Sequence, residues 1–115
     1  MTQEIVYNYI DGNGNKFVIK AKSIEYNPVK PAFSSSGLYD GGDYVKKKIT
    51  NVQYDEIIAI INEAVRKKEY HIKNRVKLSG MIIINDGSNE KIYILAPLSE
   101  HVINIEKKLK KIVNI

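Results

Sequence analysis

Apolar and polar residues alternate in the first quarter of the chain, with the two-residue period typical of β-strands. Residues 4–10 are rich in β-branched and aromatic side chains, and residues 16–26 alternate apolar with charged ones. Between them, the glycine- and asparagine-rich residues 11–15 favour the positive φ angles of a hairpin loop. Pro28 and Pro31 end the second run, because proline lacks a backbone donor. The pattern therefore predicts a β-hairpin at the start of the chain.

The same reasoning predicts a second hairpin in the C-terminal half. Residues 74–85 alternate at first and become continuously apolar at 81–84, and residues 91–96 return after a D-G-S-N turn. A continuously apolar strand is typical of a sheet interior that is covered on both sides. We expect residues 81–84 at the centre of the sheet, with one side covered by curling of the sheet or by a second copy in a homodimer. Residues 44–49 predict a short edge strand, whose lysines oppose edge-to-edge pairing.

Two amphipathic helices complete the pattern. Thr50 and Gln53 have the spacing of a capping box, and apolar residues then recur at helical intervals up to Val65. Ser99 follows Pro97 as the N-cap of a second helix, which runs to about residue 113. The predicted fold class is α+β: a mainly antiparallel sheet of four or five strands with two helices on one face, in the order β-β-(β)-α-β-β-α.

The turns of the two predicted hairpins share a pattern. Residues 11–19 read DGNGNKFVI and residues 86–94 read DGSNEKIYI, so both follow D-G-x-x-x-K-apolar-x-I. Each hairpin is followed further on by an amphipathic helix. Duplication of a ββα unit and the common chemistry of hairpin turns both account for the match, and the sequence leaves the choice open.

The composition is that of one soluble globular domain, residues 1–115. The chain is 43% hydrophobic and 27% charged and has no cysteine, which excludes disulfides, thiol nucleophiles and thiolate metal sites. No apolar run approaches the ~20 residues that cross a bilayer, and the N-terminus lacks the basic and apolar regions of a secretory signal. We therefore expect a cytoplasmic protein that does not insert into a membrane.

One candidate metal-binding motif is incomplete. Asp11, Asn13 and Asn15 have the D-x-N-x-N spacing that begins a calcium loop. Lys16 and Lys22 stand where that loop needs a glycine and a bidentate glutamate. The segment is therefore interpreted as a plain hairpin turn, and no metal site is predicted.

Motifs of catalysis and phosphate binding are incomplete as well. The glycines at the ends of residues 37–42 have phosphate-loop spacing, but Asp43 stands where the lysine belongs. His71 and His101 have no cysteine and no obvious carboxylate companion, and no nucleophile elbow or paired-carboxylate motif is present. We predict no cofactor and no catalytic residue. An enzyme without a recognisable motif is the third functional hypothesis.

The long connection over residues 27–43 carries the leading hypothesis. A connection of this length inside a small domain is typically either functional or disordered, and this one displays aromatic and apolar side chains among serines and glycines, as adaptable recognition loops do. We expect a small non-catalytic binding or regulatory module that recognises a protein partner through residues 33–44. The opposite outcome, in which these side chains fold back onto the sheet, stays open. The candidate partner-binding residues are Phe33, Leu38, Tyr39 and Tyr44.

The alternative hypothesis is a nucleic-acid-binding domain. The chain has 18 Lys and Arg against 13 Asp and Glu, and tyrosines lie near its basic clusters. Arginine is preferred where phosphates are recognised in a bidentate manner, yet almost all of the basic residues are lysine. The candidate nucleic-acid contacts are Lys46, Lys47, Lys48, Arg66, Lys67 and Arg75.

Overall fold

The computed structural model describes residues 4–30 and 40–115 of the chain. This part of the chain forms one antiparallel β-sheet and two α-helices, which confirms the predicted α+β class. The elements follow one another in the order β1 (Val6–Ile10), β2 (Lys16–Lys20), β3 (Ser23–Asn27), β4 (Val45–Lys48), α1 (Asn51–Arg66), a 3-10 turn (Lys68–Tyr70), β5 (His71–Ile72), β6 (Gly80–Asn85), β7 (Glu90–Leu95) and α2 (Glu100–Val113).

The sheet has the strand order β4-β3-β2-β1-β6-β7-β5, and every neighbouring pair is antiparallel. Strand β6 carries the continuous apolar run and lies inside the sheet between β1 and β7. Among the described strands, β4 and β5 form the two edges. β4 is the lysine-rich edge strand that the sequence predicts.

Both helices pack on one face of the sheet. The side chains of that face alternate with less buried ones along every long strand, since successive residues of a strand point to opposite faces. Side chains from this face and from the two helices form one core, which contains Tyr7, Tyr9, Phe17, Ile19, Ile24, Tyr26, Ile49, Ile57, Ile61, Ala64, Ile82, Leu95, Val102, Ile105, Leu109 and Val113.

The predicted number of four or five strands is wrong, because the sheet has seven. Residues 16–26 form two strands, β2 and β3, joined by a tight turn at Ala21 and Lys22, with Lys20 paired to Ser23. Neither turn residue is a glycine, proline, asparagine or aspartate, so the sequence carried no turn signal there. The two-residue strand β5 is too short to produce a pattern. The element order is therefore β-β-β-β-α-β-β-β-α rather than the predicted one.

The predicted long strand over residues 74–85 is also shorter than expected. Only Gly80–Asn85 is a strand, and the residues before it form a turn in which the Ser79 N–H and hydroxyl donate to the Val76 carbonyl at 3.0 and 2.6 Å. Leu78 in this turn has φ 67°, in the left-handed region. The alternation of Val76 and Leu78 thus does not reflect a strand, and both side chains are exposed.

The helix starts agree with the sequence prediction. The Thr50 hydroxyl accepts from the Gln53 N–H at 3.1 Å and the Gln53 side-chain oxygen accepts from the Thr50 N–H at 2.9 Å, which is a complete capping box. At the second helix, the Ser99 hydroxyl accepts from the Val102 N–H at 3.4 Å. These local bonds satisfy donors that a helix otherwise leaves unpaired, so the sequence alone marks where the helices begin.

Candidate functional site

The face of the sheet that points away from the helices, here called the outer face, carries a group of aliphatic side chains. Residues opposite one another on adjacent strands share a face, so the strand pairing places Ile83 beside Ile92 and places Met81 between Ile10 and Ile94. Ile92 is 52% exposed and the others are half-buried. This group, the aliphatic patch, consists of Ile10, Ile72, Met81, Ile83, Ile92 and Ile94.

The other half of the outer face is mainly polar, with Val18 as an apolar residue among charged ones. It is formed by β2, β3 and β4, where the outward positions alternate with the buried aromatic and aliphatic residues of the core. Within it, Glu25 lies 3.9 Å from the Lys46 ammonium and accepts a hydrogen bond from the Tyr44 hydroxyl at 3.1 Å. The charged side chains of this polar half are Lys16, Lys20, Glu25, Lys46 and Lys48.

The two halves of the outer face are joined by one row of residues across the sheet. Lys16 pairs with Ile10 on one side and with Asn27 on the other, and the pairing of Tyr26 with Val45 sets Tyr44 next to Asn27. Tyr44 and Ile10 are therefore three strand spacings apart, about 14 Å at the usual spacing. A single partner of ordinary size spans this distance.

The ends of the long connection meet at the same end of β3. The Gly41 N–H donates to the Val29 carbonyl at 2.7 Å, and the Tyr26 hydroxyl donates to the Gly41 carbonyl at 2.5 Å. The Lys30 ammonium lies 3.5 Å from the Asp40 carboxylate. These contacts hold the two described ends of the connection, Lys30 and Asp40, next to each other at the end of β3.

Three of the four predicted partner-binding residues, Phe33, Leu38 and Tyr39, lie outside the described residues. The fourth, Tyr44, is 55% exposed and lies on the outer face at the start of β4. Of the predicted partner-binding residues, Tyr44 thus lies on the surface that also carries the aliphatic patch. The continuous apolar run at 81–84 indicated that β6 has apolar side chains on both faces, but none of the six patch residues was among the predicted site residues.

The three consecutive lysines of β4 do not share a face. Lys46 and Lys48 point to the outer face, whereas the Lys47 ammonium reaches the helices and donates to the Ile112 carbonyl at 3.2 Å. This separation follows from the two-residue period of a strand. The run of lysines is thus divided between the two sides of the sheet.

The remaining predicted nucleic-acid contacts lie elsewhere and are engaged within the fold. Arg66 and Lys67 close α1, where both lie within ion-pair distance of Glu63. The Arg75 guanidinium donates to the Ser79 carbonyl at 2.9 Å and to the Asp11 carbonyl at 2.8 Å. The structure therefore does not bring the six predicted contacts together on one surface.

Asp11 and Asn15 form a buried polar junction at the first hairpin turn, and the exposed Arg75 binds to it from the surface. Asp11 and Asn15 are only 3% and 2% exposed, and the Asp11 carboxylate accepts from the N–H groups of Asn13 and Asn15 and from the Asn15 amide, each at 2.9 Å. The Asn15 side-chain oxygen in turn accepts from the Val29 N–H at 2.8 Å. The residues of the D-x-N-x-N motif thus hydrogen-bond to one another within the turn. Arg75 is 64 residues away in sequence and reaches Asp11 only in the folded protein.

The two histidines have different surroundings: His71 is half-buried, whereas His101 is buried and borders a shallow hollow on the helices. The His71 Nε2 donates to the Ala64 carbonyl at 2.9 Å, which ties β5 to α1, and its ring packs against Tyr93. His101 is 5% exposed and packs edge-on against Tyr70. Its Nε2 lies 3.9 Å from the Glu100 carboxylate and has no hydrogen-bond partner among the described residues. No described carboxylate is therefore hydrogen-bonded to either imidazole.

One buried acid–phenol pair links the sheet to α2. The Tyr9 hydroxyl, in a side chain that is fully buried, donates to the Glu106 carboxylate at 2.7 Å. Burial, with this hydrogen bond to an acidic group, raises the pKa of Tyr9 far above its usual range. The phenol thus stays protonated and acts as a fixed donor between the two layers.

Shallow hollows lie on the side of the two helices that faces away from the sheet. Two of them measure about 290 and 310 Å³ and lie around Ile60 on α1 and Asn104 on α2. Within residues 4–30 and 40–115, no group of three or more His, Cys, Asp or Glu side chains is placed to hold a metal ion. The described hollows bring no nucleophile, base and orienting group together.

Comparison of the chain with protein-family models, with curated proteins and with solved structures finds no match. In the part of the chain that the structure describes, no helix combines the length and the hydrophobicity that crossing a membrane requires.

Proposed function

We propose that this protein is a small non-catalytic module that binds another protein chain, with the outer face and the adjoining residues 33–44 as its recognition surface. The observation that carries the proposal is the aliphatic patch: six apolar side chains on the face that both helices leave uncovered. Contiguous apolar side chains on an otherwise polar surface are typical of protein–protein contacts. Tyr44, the last residue of the proposed 33–44 segment, lies on the same face, which supports including that segment.

The charged side chains of the polar half favour a partner with acidic residues. Lys16 lies on β2 opposite Ile10 of the patch, Lys20 lies at the other end of β2, and Lys46 and Lys48 lie on the edge strand β4. Only Glu25 among the charged side chains of the polar half is acidic, and a surplus of one sign attracts a partner of the opposite sign and sets its orientation more than its affinity. The proposed partner therefore has an apolar centre and an acidic side.

An affinity capture with matched surface variants tests the proposal. The wild-type protein, an Ile83→Lys, Ile92→Lys variant of the patch and a Val52→Lys, Ile103→Lys variant of the helices are immobilised and exposed to lysate. Val52 and Ile103 are also exposed apolar residues, 68% and 51%, but they lie on the helices. We expect the patch variant to lose a partner that the wild type and the helix variant both retain.

Hydrogen exchange with the captured partner then locates the contact. We expect slower exchange at residues 40–46, 81–83 and 90–94 and unchanged exchange in α2. Equal capture by all three proteins, or protection confined to the helices, would contradict the proposal. Light scattering of the free protein shows whether the partner is a second copy, since a homodimer through the patch would lose its mass doubling in the patch variant.

The residues outside the described part need their own arm of the test. A Phe33→Ala, Leu38→Ala, Tyr39→Ala variant removes the apolar side chains that the sequence singles out in the long connection. We expect weaker capture of the same partner as the patch variant loses. Unchanged capture would restrict the recognition surface to the sheet.

Nucleic-acid binding is the second candidate, and the observation that favours it is the four lysines on the outer face. The same face offers a single described aromatic ring, Tyr44, because the aromatic residues of β1, β2, β3 and β7 point to the helices. Single-stranded nucleic acid is usually held by several stacking rings, so this surface suits it less well than it suits a protein.

Titration with labelled single- and double-stranded oligonucleotides at two salt concentrations tests this second candidate. Phosphate contacts weaken steeply as salt rises. If the lysines contact phosphates, a Lys46→Gln, Lys48→Gln variant lowers both the affinity and the salt slope, whereas a Lys107→Gln, Lys111→Gln control on α2 does not. Absence of binding at low salt eliminates the candidate.

A further inference from the structure

The two edges of the sheet are finished differently. β4 is an edge strand that pairs with β3 along all four of its residues, and its Lys47 is bonded to α2. At the other edge, β5 is only two residues long and pairs with Ile94 and Leu95 at the end of β7. The rest of β7, residues 90–93, pairs with β6 on one side and with no described strand on the other.

The backbone of β7 shows which groups face that open edge. The Ala96 N–H donates to the Tyr70 carbonyl at 2.7 Å, on the side of β5. Backbone groups of successive strand residues point to alternate sides, so Ile94, Ile92 and Glu90 also direct their N–H and C=O groups away from β6. Ile94 meets Ile72 of β5. Ile92 and Glu90 direct two donors and two acceptors to the edge, and these have no backbone partner in residues 4–30 and 40–115.

The side chains around this edge indicate what fits beside it. Ile92 points to the outer face and is 52% exposed, next to Ile83 and Ile94 of the aliphatic patch. Lys91 and Tyr93 point to the opposite side of the sheet, and Lys91 is exposed. A strand added at this edge would therefore be favoured by an apolar residue opposite Ile92 and by an acidic residue opposite Lys91.

A second copy of β7 does not fit well as that strand. Pairing Ile92 with Ile92 across a two-fold axis brings Glu90 of one copy opposite Ile94 of the other. Ile94 is already paired with Ile72 of β5 on that side, so this register is blocked. The next register that keeps equivalent faces together pairs Lys91 with Lys91, and like charges directly opposite one another are destabilising. The edge thus favours a strand of different sequence.

We propose that an extended segment of a partner protein adds to the sheet beside residues 90–93 of β7, in line with β5 and antiparallel to β7. Its backbone pairs with Ile92 and Glu90, it places an aliphatic residue opposite Ile92, and it places an acidic residue opposite Lys91. Strand addition of this kind derives affinity from main-chain bonds and specificity from alternate side chains. This inference rests on the proposed function only in that the partner is a protein; the contact itself is made by backbone groups.

The test separates the backbone contact from the side-chain contact at one position. Ile92→Pro removes the N–H that faces the edge and leaves the bonds to β6, because those belong to Lys91 and Tyr93. Ile92→Val keeps the N–H and a β-branched side chain. The probe is a capped, fluorescent heptapeptide of alternating valines, with a glutamate at the position opposite Lys91, and its binding is followed by anisotropy.

We expect the peptide to bind the wild type and the Ile92→Val variant within twofold of one another and to bind the Ile92→Pro variant at least tenfold more weakly. A peptide methylated at the nitrogen opposite Ile92 should lose at least tenfold on the wild-type protein, and this arm decides the outcome if the proline variant does not fold. Equal binding of the methylated peptide, or no binding of the parent peptide to the wild type, overturns the inference.

Hydrogen exchange supplies a readout that needs no variant. In the free protein the Ile92 amide should exchange faster than the Lys91 and Tyr93 amides, and the peptide should slow it at least tenfold. An Ile92 amide that is already protected contradicts the open edge. Partner capture separates the two proposals. If the Ile83→Lys, Ile92→Lys variant captures no partner while the Ile92→Pro variant captures as much as the Ile92→Val variant, strand addition is overturned and the proposed function is retained. If only the Ile92→Pro variant fails to capture the partner, strand addition is retained and the aliphatic patch is overturned as the contact surface.

Discussion

The two hairpins that share the D-G-x-x-x-K-apolar-x-I pattern differ in loop length. Because of this difference, the matching apolar side chains of their second strands point to opposite faces of the sheet. Five residues separate the paired Ile10 and Lys16, whereas four separate the paired Asn85 and Glu90. Phe17 and Ile19 consequently point to the helices and are fully buried. The matching residues, Ile92 and Ile94, point to the outer face.

A shared local pattern therefore specifies a hairpin but not the face of the sheet to which its apolar side chains point. Because side chains alternate along a strand, a difference of one residue in the loop moves every apolar side chain to the other face. The glycines differ in the same way: the positive φ of 93° falls on Gly14, the fourth residue of the first pattern, and on Gly87, the second residue of the other. The two hairpins are thus not equivalent units of the fold.

The turns themselves also lie in different surroundings. The first is a buried junction held by Asp11, Asn15 and Arg75. In the second, the Asp86 carboxylate accepts from the N–H groups of Ser88 and Asn89 at 3.1 and 2.7 Å at an exposed loop. The same aspartate therefore organises a turn in both hairpins, yet only the first is part of the core.

The largest difference is expected between the aligned apolar residues. Phe17→Ala should destabilise the protein by about 3–5 kcal/mol, because it leaves a cavity beside the Tyr26 ring, whose centroid is 4.9 Å away. Ile92→Ala should cost well under half of that, since Ile92 is 52% exposed. Urea unfolding of both variants measures the free energy of unfolding. Equal losses would mean that Ile92 is buried and that the outer face is covered.

The next difference is expected between the two aspartates. Asp11→Ala should cost about 2–4 kcal/mol, because it leaves three donors without their acceptor inside the first turn. Asp86→Ala at the exposed turn serves as the matched control and should cost clearly less. Thermal unfolding of the two variants compares them, and a ranking in the opposite order would place the polar core at the second turn.

A smaller effect is expected at Arg75, which has no counterpart at the second turn. Arg75→Ala should lower the free energy of unfolding by about 1–2 kcal/mol, because the guanidinium joins the carbonyls of Asp11 and Ser79. Arg75→Lys should recover only part of it, since an ammonium does not reproduce the two-pronged geometry. A loss of oligonucleotide affinity without a loss of stability would instead assign Arg75 to nucleic-acid binding.

The smallest effect is a pH dependence at the second turn. Hydrogen bonds from the N–H groups of Asn89 and Ser88 lower the pKa of Asp86 below its ordinary value of 3.8. A lowered folded-state pKa contributes stability that is fully present above the unfolded value and is lost as the pH falls through the folded value. An NMR titration of the Asp86 carboxyl below about pH 5 should give a midpoint under 3.8. A midpoint at or above it would mean that the carboxylate does not hold this turn.

Much of the fold can be predicted from local patterns. These patterns act over a few neighbouring residues, so the structure that they favour does not depend on the rest of the chain. They are the capping residues Thr50 and Ser99, the two D-G turns and the apolar run of β6. The turn at Ala21 and Lys22 and the strand β5 were missed because their conformations are imposed by strand pairing rather than by residue preference.

The candidate site was less predictable than the fold. Tyr44 was identified from composition, but the aliphatic patch was not, because apolar residues on the two faces of a strand look alike in sequence. Lys46, Lys47 and Lys48 form one run in the chain and are divided by the sheet. A surface depends on which face the helices cover, and that choice involves residues far apart in sequence.

Local sequence patterns are enough to specify two capped amphipathic helices, two hairpins and an apolar interior strand. Contacts between distant segments instead make Ile92 and Ile94 face outwards, bury Asp11 and bring Arg75 to it, and end β5 after two residues so that part of β7 has no strand beside it. The physical reason is that burial and strand pairing are properties of contacts between distant segments, whereas caps, turns and periodicity are properties of neighbouring residues.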